Sequence, residues 1–314
     1  MTLQSPPGDG QENLRRICSR AVLTSGKSDD TREASPVEGE LWSMRGPSAH
    51  PRDRVPYVWK TTGMRTFEEL ASEAAQADVQ GWGFGWLHGR AVEERPRWGY
   101  ARLLARRLAQ AHAALDLDTG GGEVLHEAPV LPDQMVATEG WPPNLQLARD
   151  RLTSRGVEVI EASPGERLPV AEASFDLVTS RHPVDPDWSE IARVLSPGGR
   201  YFAQHVGAES AFELTEFFLG PQPVERRRRR HPDVEAAEAE KAGLEIVDLR
   251  VAHCRMEFYD VGAVVWILRK CPWWVPDFDV SRDEERLRTM DAHIRRNGVF
   301  LAHSTRHLIE ARRP

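Results

Sequence analysis

Apolar positions along this chain fall into runs separated by polar, glycine-rich or proline-rich breaks, and the pattern changes at residue 66. Over 1–60, Pro, Gly, Ser and charged residues dominate and no apolar period persists, so this stretch reads as a poorly ordered leader. From there Phe67, Leu70, Ala71 and Ala74 recur at helical spacing, with Thr66 as the N-cap. A Trp/Gly-rich segment over 81–86 follows, and then a predicted helix over 98–111 with Leu103, Leu104 and Leu108 on one face. Next, short apolar strands at 113–117, 135–138, 157–160, 175–179 and 200–206 alternate with helices. One helix covers 144–154, with Leu145, Ala148 and Leu152 inward; another covers 188–195 and stops at Ser196-Pro197-Gly198-Gly199. Strands spaced by helices need crossover connections, hence a parallel sheet. Elements at 244–250 and 307–312 complete it, and helices over 260–270 and 284–296 form an insertion (258–300) before the last strand.

Composition narrows the possible classes. The 314 residues are 40% hydrophobic and 28% charged, an ordinary globular balance, and allow one large domain with appendages. The formal charge, 41 − 48 = −7, gives no global basic field for nucleic acid or an anionic membrane. No apolar run approaches the roughly 18 residues that span a bilayer, and residues 1–10 lack a secretory signal's apolar core. Cys18, Cys254 and Cys271 are scattered, odd in number and form no CxxC pair. That argues against a disulfide framework or a cysteine zinc site; no metal is expected, and a cytoplasmic setting is. The one basic block, arginines at 226–230, has flanking prolines and no interleaved aromatics, and reads as a solvated surface loop.

The most informative stretch is Leu115-Asp116-Leu117-Asp118-Thr119-Gly120-Gly121-Gly122-Glu123. A strand runs into three glycines and then a helix, which lets the backbone approach a ligand closely. Glu139 closes the next strand, where an acidic residue can bind both ribose hydroxyls of a nucleoside. Asp116, Asp118 and Glu123 crowd the turn. They would repel a pyrophosphate, which disfavours a dinucleotide, but suit a cofactor with an ammonium and a sulfonium, as in S-adenosylmethionine (SAM).

These residues resemble the class I SAM-dependent methyltransferases, in particular the broad bacterial group with a small-molecule-type methyltransferase domain. The resemblance spans about residues 98–210. Asp116 to Gly122 looks like the family's first motif, and Glu139 with Asn144 to Arg149 like its acidic second strand and helix. Leu168-Pro169 with Ser174 to Val178 resembles the approach to its fourth strand, and Ile191 to Gly199 its helix and turn before the fifth. The resemblance implies a Rossmann-like, doubly wound α/β sheet of seven strands with an antiparallel final hairpin. Helical segments at 66–112 and 258–300 are expected to cap the strand ends. It also implies SAM as cofactor, with Asp116, Asp118, Gly120, Gly122, Glu139, Trp141, Ser163 and Arg181 as its binding residues. Asp118 stands where the family has its first glycine, and Ser163 or Glu166 would have to replace its adenine-binding Asp.

His182 directly follows the fourth strand, beside the transferred methyl in related enzymes, and is the candidate acceptor-side base or orienting group; it would otherwise only bond a loop carbonyl. His205 reads as a satisfied buried histidine. Trp141 either covers the cofactor or packs in the core. Trp82, Trp86, Trp98 and Tyr100 form an aromatic lid or simple packing against the sheet. A small-molecule acceptor is expected, without nucleic acid or membrane. The competing readings are an RNA or tRNA methyltransferase, for which only the arginine run speaks, and a non-catalytic relative, supported only by Asp118.

Overall fold

Thr66 opens the first helix with a reciprocal cap. Its hydroxyl accepts from Glu69 N–H (3.2 Å) and its own N–H donates to the Glu69 carboxylate (2.9 Å). The computed structural model describes residues 65–79, 83–162, 165–183 and 185–314. The leader at 1–60, Trp82 and Ser163 lie outside them. In chain order the elements are α1 (Phe67–Gln76), β1 (Ala91–Glu93), α2 (Tyr100–Leu108), β2 (Ala113–Leu117), α3 (Glu123–Glu127), β3 (Gln134–Glu139), α4 (Pro142–Leu152), β4 (Val157–Glu161) and β5 (Phe175–Arg181). They continue with α5 (Trp188–Val194), β6 (Leu195–Val206), α6 (Phe212–Leu219), α7 (Val224–Arg228), α8 (Pro232–Lys241), β7 (Glu245–Phe258), α9 (Val261–Lys270), α10 (Glu284–Asn297) and β8 (Phe300–Arg312).

The strands form one sheet in the order β1-β7-β8-β6-β5-β2-β3-β4. β2 to β6 run parallel, while β8 pairs antiparallel with both β6 and β7. From β2 the chain winds outward to β4, then returns to the other side of β2 as β5 and β6. The winding therefore reverses between β2 and β5, and in such sheets a crevice opens there, beyond the carboxyl ends. Helices cover both faces. On one, α2, α3 and α4 bury Tyr100, Leu104, Leu108, Leu125, Ala148 and Leu152 against Ala114, Leu177, Phe202 and Leu308. On the other, α5 and α8 bury Trp188, Ile191 and Ala239 against Val178, Tyr201 and Ile309.

The sheet has eight strands, not seven. The last two strands are longer than the expected 244–250 and 307–312. β6 ends opposite Arg306, but β7 and β8 stay paired out to Phe258 and Phe300, about 20 Å further at ~3.4 Å per residue. That projecting hairpin presents a free edge, and β1 pairs with it at 256–258. Ser196 to Gly199 does not separate helix from strand as expected. It forms a bulge inside β6, with Leu195 opposite Phe175 and Arg200 resuming opposite Leu177.

The cap sits on the projecting hairpin. α1, α6, α9 and α10 pack Phe67, Leu70, Leu214, Val264, Leu287 and Ile294 around Met256, Phe258, Phe300 and Ala302. Every residue of α9 from Val261 to Leu268 is buried, as a helix apolar nearly all round must be. Asp260 caps its start (Oδ1 to Ala263 N, 2.8 Å). Arg269 near its end donates to the carbonyls of Ala74 and Ala77 at the end of α1. The segment 66–112 thus divides: α1 belongs to the cap, whereas α2 lies flat on the sheet. The predicted helix over 98–111 starts only at Tyr100, because Gly99 before it is left-handed (φ 64°). No helix among the described residues is long and apolar enough to cross a membrane.

The arginine run departs from the expected solvated loop. It begins in the short helix α7, and three of its members are engaged within the protein. Arg226 donates to Gln222 Oε1 (2.5 Å), Arg227 pairs with Glu209 (2.6 Å) and Glu216, and Arg230 donates to the carbonyl of Pro183.

Candidate cofactor and acceptor site

β2 delivers its chain into three left-handed residues, Asp118 (φ 54°), Gly120 (65°) and Gly122 (78°). Asp is among the few side chains that tolerate this region, so the turn forms without a first glycine. Gly122 must be glycine for a second reason. A Cβ there would lie 2.7 Å from Leu152 Cδ1, so the turn could not seat against α4. A Cβ on Gly120 would meet nothing within 4 Å, so the turn is open on that side. The end of β3 holds the turn in place. Thr138 Oγ1 accepts from Asp118 N–H (3.3 Å), Thr138 O from Thr119 N–H (2.9 Å) and Glu139 Oε2 from Gly120 N–H (2.8 Å).

Three carboxylates converge here at a cost in solvation. Burial pushes Asp116 up to about 6 against hydrogen bonds from Thr179 (2.5 Å) and Thr119. Burial and the neighbouring Asp116 charge push Asp118 up to about 6 as well. Glu139 is also raised by burial, against backbone donors and with Asp118 adding to the rise. Such groups gain from a cation in the crevice. The Glu139 carboxylate accepts from Gly120 and, through Oε1, from Trp141 N–H (2.8 Å). Each oxygen retains acceptor capacity for a hydroxyl. Trp141 is half-buried and belongs to none of the hydrophobic clusters, a placement closer to a cover than to a core residue. Glu166 is exposed.

Across the crevice, Arg181 ends β5 and is exposed. His182 is left-handed (φ 63°), and its N–H donates to the Gln204 carbonyl at the end of β6 (2.7 Å). Gln204 Nε2 lies 3.0 Å from His182 Nε2, and Trp98 Nε1–H donates to Gln204 Oε1 (2.8 Å). Tyr100 stacks on Phe202 and donates to the Ser180 carbonyl (2.9 Å). The aromatic group read from the sequence therefore splits. Trp98 and Tyr100 lie at the strand ends, whereas Trp86 stacks on Trp266 in the cap. Burial, then the charges of Arg306, Arg181 and Arg230, hold His182 well below the usual imidazole range, so it stays neutral at pH 7. Sequence reasoning missed Gln204. The available signal was one amide inside the apolar run Tyr201-Phe202-Ala203-Gln204.

The opposite face of β6 carries a second polar group. His205 Nδ1 and His307 Nε2 meet the same oxygen of Glu235 at 2.5 and 2.7 Å, and Tyr201 O–H lies 2.9 Å from His205 Nε2. All three ionisable residues are buried, as expected for His205. Burial pushes the Glu235 carboxyl up, but hydrogen bonds from both histidines outweigh it and hold it down to about 2. Burial lowers His205, so the ring donates as neutral imidazole and accepts from Tyr201. The grouping has the composition of a metal site. Its contacts are those of a hydrogen-bonded cluster, with the Arg230 charge close to the one carboxylate.

The family model described as a methyltransferase domain matches residues 115–203. No curated protein matches the chain. Among solved structures, a candidate methyltransferase from Bacillus halodurans C-125 is similar with a TM-score of 0.49 and 19% identity, over 68% of this chain and 98% of that one. The YcgJ protein of Bacillus subtilis gives 0.48 and 15%, over 69% and 99%. Both are too distant to carry over a substrate. The matched span takes in the glycine turn, Glu139 and the end of β5, on a doubly wound sheet whose crevice opens between β2 and β5. Residues 115–203 thus match a methyltransferase domain, on a Rossmann-like doubly wound sheet.

Proposed function

We propose that the protein transfers a methyl group from SAM to a small-molecule acceptor. The observation that carries this reading is the desolvated carboxylate group of Asp116, Asp118 and Glu139 around an open glycine turn. Bound there, SAM would supply an already activated methyl. Asp116, Asp118 and Gly120 would hold its cationic end, Glu139 its ribose and Trp141 its cover. The other tasks fall to the chain: the ends of β5 and β6 align the acceptor, and the 94–100 segment keeps water from it. Three arginines of the 226–230 run already have partners within the protein, which weakens the support for an RNA acceptor.

Calorimetry with S-adenosylhomocysteine and NAD tests the proposal. Micromolar binding of the first and none of the second is expected; the reverse, or binding of neither, would sink it. Glu139→Ala should weaken S-adenosylhomocysteine by about 1.5–3 kcal/mol, the range for a charged hydrogen bond.

Asp116→Asn should separate binding from stability. A carboxyl raised from 3.8 to about 6 contributes stability that is complete below the unfolded value and lost as pH rises through 6. The shift corresponds to about 3 kcal/mol. An asparagine keeps the acceptor for Thr179 without the buried charge. The variant should therefore melt higher than wild type at neutral pH by several degrees, at roughly 2–4 °C per kcal/mol, yet bind S-adenosylhomocysteine about 10–100-fold more weakly. In the wild type, affinity for SAM should rise as pH increases through 6, as the carboxyls ionise. A flat pH dependence with unchanged affinity in the variant would remove Asp116 from the site.

A further inference from the structure

Trp98 has one polar group, an N–H that only donates. It faces Oε1 of Gln204 at 2.8 Å, which fixes the amide orientation: the oxygen is toward Trp98 and the NH2 toward His182. That NH2 lies 3.0 Å from His182 Nε2 and cannot accept, so Nε2 is the bare nitrogen and the imidazole proton sits on Nδ1. The surroundings agree, since burial, then the neighbouring arginine charges, hold the ring neutral. With Nε2 engaged, His182 has no lone pair with which to take a proton from an acceptor. What it offers is an N–H, and among the described residues Nδ1 has no partner. Beside it Arg181, opposite Gln204 in register, makes neither an ion pair nor a side-chain hydrogen bond among the described residues. A guanidinium has five donors and no acceptor.

We infer that Trp98 and Gln204 lock His182 as its Nδ1–H tautomer, and that this N–H and the Arg181 guanidinium form a donor-only subsite for an oxyanion, a carboxylate or phosphate carried by the acceptor. The link to the acceptor rests on the proposed methyl transfer; the tautomer does not. Gln204 is a positioning residue here, acting through His182. Arg181 also lies near Asp116 on the cofactor side, so the oxyanion has one rival source, the cofactor's own carboxylate, and the experiment separates the two.

In nitrogen-15 histidine-labelled protein at about pH 7, His182 (assigned by its loss in His182→Asn) should carry its proton on Nδ1 and leave Nε2 bare. Gln204→Glu should reverse the pair, because a carboxylate accepts where the amide donated. With S-adenosylhomocysteine bound, benzoate or inorganic phosphate should shift the Nδ1 resonance, whereas uncharged benzamide should not. Arg181→Gln should weaken the benzoate effect at least about tenfold, the loss of one charged hydrogen bond. A bare Nδ1 in the wild type overturns the lock. Equal shifts from benzamide, or none from either oxyanion at about 10 mM, a very weak affinity, overturn the subsite. If Arg181→Gln weakens S-adenosylhomocysteine but not 5′-methylthioadenosine, which lacks the amino-acid end, the guanidinium serves the cofactor and the acceptor assignment falls. If S-adenosylhomocysteine does not bind at all, the methyltransferase reading fails and takes the acceptor assignment with it, while the first measurement still decides the tautomer.

Discussion

Glu235→Ala should lower the unfolding free energy by about 3–5 kcal/mol, the usual cost of breaking a buried charge cluster from one side. In the native protein one carboxylate oxygen receives the N–H groups of His205 and His307, both buried. Alanine leaves two imidazole donors in a dry interior, a cavity beneath β6 and β8, and the Arg230 charge without its carboxylate. Such a loss is a large share of the 5–15 kcal/mol that holds a typical domain together. Should the variant not fold, Glu235→Gln keeps the shape and should lose less, because its amide oxygen can still accept from one ring. The pH dependence provides an independent check. A carboxyl held at about 2 rather than 4.5 contributes stability that is complete above the unfolded value and lost as pH falls through 2, worth about 3 kcal/mol. The depressed His205 acts in the same direction from 6.5 downward. Denaturant midpoints of wild type and Glu235→Gln should therefore converge as the pH falls below 4.5. Midpoints that stay parallel down to pH 2 would mean that Glu235 does not carry the charge.

His182→Ala should lower kcat/KM for the acceptor by about 10–100-fold, mostly through KM, the range for losing one hydrogen bond to a charged group. Its affinity for S-adenosylhomocysteine should be unchanged, because the proposed subsite serves the acceptor and not the cofactor. The sequence suggested an acceptor-side base or an orienting group. With the ring held well below 6.5 and Nε2 facing an amide NH2, the expectation is a wild-type pH–rate profile without a histidine inflection between about 6 and 8. His182→Asn suits the left-handed backbone and restores an N–H, so it should recover part of the loss. A folded alanine variant that binds S-adenosylhomocysteine and keeps more than about a third of the wild-type kcat/KM would leave His182 as a loop-holding residue only.

Local signals were legible in the sequence because their physics is local. The Thr66 cap needs only the spacing to Glu69, and the glycine turn needs only residues that tolerate positive φ after an apolar strand. The alternation of apolar runs is enough to make β2 to β6 parallel strands with helical crossovers, while the reversal that opens the crevice was implied only by the family resemblance. Glu139 could be singled out because it closes the strand after the turn. The longer reach of β7 and β8 was partly visible as well, in the inward alternation of Cys254, Met256 and Phe258. What the sequence could not yield depends on groups far apart in the chain. Glu235 sits in the Ala/Glu-rich stretch Val234-Glu235-Ala236-Ala237-Glu238, indistinguishable by pattern from a solvated glutamate. Only the register that sets His205 opposite His307, with α8 laid over both, makes it a buried hub. Trp98 and Gln204 are 106 residues apart, and the fixed amide that decides the His182 tautomer exists only once the segment leading into α2 is packed against β6. Periodicity states which face of an element is apolar. Which polar groups share that buried face, and which proton each then carries, depends on desolvation and hydrogen-bond partners that only the tertiary structure supplies.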